Sequence, residues 1–74
     1  MQATTVQWSA QAVGETAGWV WEALRRLGKT TTARLEREVD VPKPMVQMAI
    51  GWLAREGKIA LQDHKRAVEI WLTE

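Results

Sequence analysis

Seventy-four residues make one small domain, and a chain of this size buries only about 60 to 65% of the surface its unfolded form exposes. With no cysteine it has neither a disulfide nor a Cys-based zinc site, and with 10 Lys+Arg against 9 Asp+Glu it has no overall basic field to draw in nucleic acid. No signal segment opens the chain and no apolar run approaches the roughly 18 residues of a membrane span, so a soluble cytoplasmic protein of bacterial type, with no membrane partner, is the expectation. Charge is unevenly spread: residues 1–21 hold only Glu15, and all ten basic residues lie from Arg25 onward. Five Trp, with no Phe or Tyr, are too many rings for so small a core, which predicts at least one at the surface or in an interface.

Residues 1–8, MQATTVQW, have no helical period and read as an N-terminal arm, leaving 9–74 as the domain. Ser9 is the predicted N-cap of the first helix, with Trp8 and Val13 at the two positions of a hydrophobic staple. Val13, Ala17, Val20, Leu24 and Leu27 form one apolar stripe, Arg25 and Arg26 suit the last turn, and Gly28 is the stop. The β-branched run Lys29–Thr32 predicts a short edge strand that lends Thr31 or Thr32 as the next N-cap. A brief second helix follows, about Ala33 to Val39, with Leu35 and Val39 inside. Pro42 and Pro44 are tolerated only at a helix start, so the third helix begins near Lys43 and runs to Glu56, closed by Gly57. Val46, Ala49, Ile50 and Leu53 make its inner stripe. Ile59 and Leu61, then Val68, Ile70 and Leu72, alternate about a polar turn at Asp63–Arg66, a hairpin with one apolar face.

Three helices, a short strand between the first two, and a closing hairpin give an α+β winged helix-turn-helix order. The segments GETAGWVWEAL (Gly14–Leu24) and MAIGWLAREGKI (Met48–Ile59) resemble a family of small stand-alone bacterial winged helix-turn-helix domains, and the resemblance covers about Ala10 to Leu72. It implies the fold, and by analogy with other winged helices a DNA-binding, transcription-regulating role.

Catalytic chemistry is not in view. The one His, His64, reads as a solvated turn residue, since a metal site needs three or four convergent ligands; no phosphate-cradling loop or nucleophile motif is present. Neither enzyme activity, a cofactor, a metal nor a small-molecule substrate is expected. Gly14 and Gly18, which weaken a helix by roughly 1 kcal/mol each, predict close packing on that side, by the chain's own hairpin or second helix or by a partner subunit.

In a winged helix the third helix faces the DNA major groove. With Val46 and Leu53 inside, the wheel puts Pro44, Met48, Gly51 and Arg55 outside, Met45 and Trp52 on one shoulder and Gln47 on the other. Only Gln47 and Arg55 have base-reading chemistry; Lys43, with Lys65 and Arg66 in the hairpin turn, suits phosphate. The candidate nucleic-acid residues are therefore Lys43, Gln47, Arg55, Lys65 and Arg66, toward double-stranded DNA, in weak or non-specific binding. Trp8, Trp19, Met45, Met48 and Trp52 are the candidates for a homodimer or partner interface, because exposed Met and Trp favour interfaces. The alternative function is an interaction or dimerisation module that keeps the fold without reading DNA.

Overall fold

The computed structural model describes residues 9–73. The elements are α1 (Ala10–Leu27), β1 (Thr30–Thr31), α2 (Thr32–Glu38), α3 (Lys43–Arg55), β2 (Ile59–His64) and β3 (Ala67–Leu72). This is the predicted order, with boundaries moved by a residue or two. Ser9 caps α1, its Oγ accepting from the Ala12 N–H at 3.1 Å. The staple position Trp8 lies outside the described residues. Gly28 ends α1 at φ 73°, a conformation that side chains with a Cβ avoid, and its N–H closes on the Leu24 carbonyl.

Thr31 does two jobs within one residue. Its backbone pairs with Glu69 of β3, and its Oγ1 accepts from the Arg34 N–H to start α2. After the Pro42 turn, α3 runs to Arg55 and stops in a Schellman arrangement: the Lys58 N–H reaches the Leu53 carbonyl and the Gly57 N–H, at φ 73°, that of Ala54. Thr73 then ties the base of the hairpin to this stop, through its hydroxyl to the Gly57 carbonyl and its N–H to that of Lys58.

The three strands form an antiparallel sheet in the order β1-β3-β2, with Thr30 opposite Ile70 and Ile70 opposite Leu61. One core joins helices and sheet: Ala17, Val20 and Leu24 of α1, Leu35 of α2, Val46, Ala49, Ile50 and Leu53 of α3, then Ile59 and Ile70. Val20, Leu35, Val46 and Ile70 have no accessible surface.

Two core expectations need correction. Leu61 is 41% exposed although it shares a sheet face with buried Ile70. It lies on β2, an edge strand whose burial ends after Ile59 and Ala60, whereas Ile70 opposite it lies on the central strand β3. Met45, expected at the surface, is 3% exposed. Because α3 is packed by α1, α2 and β2 together, its buried arc is wider than the inner stripe implies. The hairpin turn is also tighter than predicted. Strand pairing continues to His64 and Ala67, which leaves only Lys65 and Arg66 in the loop.

Candidate nucleic-acid interface

The outward face of α3 is set by which of its residues the core takes. With Met45, Val46, Ala49, Ile50 and Leu53 inside, the helix presents Lys43, Pro44, Gln47, Met48, Gly51, Trp52 and Arg55. Lys43 is the first helical residue and Arg55 the last, so the cations mark the two ends of the face. Gln47 is not free. Its Nε2 donates to Oε2 of Glu36 on α2 at 3.0 Å, which ties one of the amide's two N–H groups to a carboxylate at the surface. Gly51 leaves the middle of the face flat: a Cβ built there meets nothing within 4 Å.

The wing supplies the second cationic element. Lys65 and Arg66 fill its two-residue loop, both exposed. Of these two, Lys65 alone has a positive φ, 60°, the φ pattern of a type II′ turn, whose first central position favours glycine. The neighbouring His64 ends β2, exposed, across from Ala67.

Ion pairing separates the basic residues into two sets. Arg26, Lys29, Arg34 and Lys58 each lie within 4.0 Å of a carboxylate. Among the described residues Lys43, Arg55, Lys65 and Arg66 have no such partner, and neither have Arg25 on α1 and Arg37 on α2, which the sequence did not mark as DNA contacts. Lys29 also sits 4.6 Å from the centre of the Trp71 ring, and Arg25 5.4 Å from that of Trp21.

The aromatic candidates divide as well. Trp52, 36% exposed, lies against Gly14 of α1, where an added Cβ would stand 3.4 Å from its ring. The close packing expected at Gly14 is thus supplied by α3, rather than by the hairpin or α2; at Gly18 nothing comes within 4 Å. Met48 and Trp19 are exposed, Trp19 at 55%. Of the Met45–Met48–Trp52 shoulder, then, one member is core, one packs on α1 and one is free. Trp8 lies outside the described residues. Among the described residues no helix is long and apolar enough to cross a membrane.

A helix with a flat outer face behind a three-stranded sheet, its wing tipped by two cations, defines a winged helix-turn-helix domain. The chain belongs to the Winged helix-turn-helix domain (DUF2582) family, whose model matches residues 7–72. It is 42% identical over 60 residues to the uncharacterised protein MJ1608 of Methanocaldococcus jannaschii, a match covering 76% of this chain and 84% of that one. Among solved structures it resembles protein BT2368 from Bacteroides thetaiotaomicron, with 34% identity, TM-score 0.76, and coverage of 84% of this chain and 76% of that one. The same fold recurs in the Zalpha domain of Carassius auratus PKZ in complex with Z-DNA, at 21% identity and TM-score 0.71, covering 84% of this chain and 98% of that one.

Proposed function

We propose that this protein is a DNA-binding module of regulatory type, without catalytic activity, that holds duplexes by their phosphates and reads little sequence. The observation that carries the reading is the set of exposed cations, without an ion-pair partner among the described residues, at both ends of α3 and at the wing tip: Lys43, Arg55, Lys65 and Arg66. Lys65 weighs most. A lysine kept where the backbone favours glycine is a strained residue, and such strain persists where a side chain is needed. That fold neighbours of this chain are Zalpha domains bound to Z-DNA supports the same reading.

Low sequence preference follows from the chemistry of the face. Bidentate base reading uses Arg with guanine or Asn and Gln with adenine. Here Gln47 is engaged by the Glu36 carboxylate, Met48 has no polar hydrogen to offer, and Gly51 has no side chain. Arg55 stands at the far end of the helix. Gly51 instead lets a phosphate-sugar backbone approach the helix closely.

An amide-shift titration tests this, with a mixed-sequence duplex and a d(CG)6 duplex at low and moderate salt. Perturbations are expected at Lys43, Gly51, Arg55, Lys65 and Arg66, with Kd about micromolar or weaker for both duplexes at physiological salt. Tight binding to one sequence alone would overturn the phosphate reading. No perturbation at low salt would overturn DNA binding and favour the interaction-module alternative.

A further inference from the structure

The exposed side of α1 carries Glu15, Trp19, Glu22 and Arg26, spaced 4, 3 and 4 apart, the spacing of a coiled-coil seam. At about 100° per residue they share one stripe, roughly 16 Å long, facing away from the buried Ala17, Val20 and Leu24. Beside Trp19 runs an open groove of about 470 Å³ between α1 and the connection after α2. Its α1 wall is Trp19, Glu22, Ala23 and Arg26, and Glu38, Val39 and Asp40 lie across from them; Ala23 and Val39 are buried and form a narrow apolar floor between charged rims. An indole 55% exposed therefore stands next to a groove with an apolar floor.

The stripe is self-complementary in one direction only. In a parallel pair Glu15 would meet Glu15 and Arg26 would meet Arg26. In an antiparallel pair about a two-fold axis between residues 20 and 21, Glu15 of each copy faces Arg26 of the other, and Trp19 comes level with Glu22, at the mouth of the opposite groove. Within its own chain Arg26 is 3.8 Å from Glu38 with its side chain 62% exposed, a surface pair of little strength that leaves it free to turn.

We propose that this face joins two copies of the chain, with each Trp19 seated in the partner's groove between Ala23 and Val39. The two-fold contact reuses one patch on both subunits. Trp52 of α3 packs on α1 at Gly14, about 110° round the helix from this stripe, so the contact is independent of the DNA reading. About three helical turns a side is a small interface, so the dimer is weak, with Kd on the order of tens to hundreds of micromolar.

Sedimentation equilibrium of the full chain from about 10 to about 500 µM tests it. The mean mass is expected to climb from one chain toward two. Trp19→Glu should hold it at one chain with the helical circular dichroism unchanged. Glu15→Arg and Arg26→Glu should each weaken association about tenfold, and the two together should restore it to within about threefold, since the pair is then reversed rather than broken. A mass of one chain at every concentration overturns the proposal. So does retained association in Trp19→Glu, or a double reversal no better than the singles. The remaining rival cover for Trp19 is the segment of residues 1–8. A Trp19 indole N–H resonance that is independent of concentration in a chain of constant monomer mass, and that shifts when those residues are removed, would assign the groove to that segment and overturn the dimer.

Discussion

Three single positions carry consequences out of proportion to their size. Gly18 and Gly51 both sit inside helices, exposed, with room around them for a Cβ. Among the described residues nothing calls for glycine at either site, so Gly18→Ala should stabilise the fold by about 1 kcal/mol, raising the melting temperature by roughly 4 to 8 °C. Gly51→Ala should give the same thermal gain and at the same time weaken DNA binding, because its methyl intrudes where α3 meets the duplex. Thermal melts and a duplex titration on the same sample separate the two effects; unchanged DNA affinity would remove Gly51 from the interface. Lys65 repeats the logic at the wing. Lys65→Gly relieves a φ of 60° and should stabilise by about 0.5 to 1 kcal/mol while weakening DNA binding. If it destabilised instead, the turn would not be strained and the case for a retained cation would weaken. Gly14 differs from both, since Trp52 lies on it, and alanine there would press on the ring at 3.4 Å.

At the level of elements, the helices and the hairpin differ in how completely they are covered, and the two leucines Leu53 and Leu61 report it. Leu53 is buried at 3% exposure where α3 joins the core, and Leu61 is 41% exposed on β2. Leu53→Ala should cost about 2 to 5 kcal/mol, enough to unfold most of so small a domain. Leu61→Ala should cost under about 1 kcal/mol by urea denaturation. Comparable losses would mean that the wing is packed as tightly as the helices. The helical stripes, both glycine stops and the caps at Ser9 and Thr31 were legible in the sequence because each is a local rule acting within one turn. Leu61 was misread because alternation tells which face a residue points to, and not whether its strand lies at the edge or the centre of the sheet. Met45 was misread because a helical wheel assumes one neighbour, and α3 has three. The candidate site was legible only as a charge pattern. That Glu36 holds Gln47, eleven residues away, and that Trp52 rests on Gly14, depend on how α3 crosses α2 and α1. No spacing along the chain encodes those crossings.

For the molecule as a whole, a net charge of +1 means that no long-range field steers it to DNA, so whatever attraction it has must come from local cations. That makes the salt dependence a count of them. If Lys43, Arg55, Lys65 and Arg66 each neutralise one phosphate, log K should fall against log salt with a slope of about −3.6, at roughly −0.9 per phosphate on B-form DNA. Between about 50 and about 200 mM salt the affinity then drops about 150-fold. Replacing Lys65 and Arg66 together by alanine should halve the slope to about −1.8 and weaken a mixed-sequence duplex and a d(CG)6 duplex by the same factor, since neither side chain is asked to tell one base from another. Fluorescence anisotropy over a salt series measures both quantities. A slope unchanged in the double variant would place the contacts away from the wing, with Arg37 on α2 the next unpaired cation to test. A slope near zero with strong binding would mean that base edges or shape, rather than phosphates, provide the affinity, and the assignment of the flat α3 face to a phosphate backbone would have to be given up.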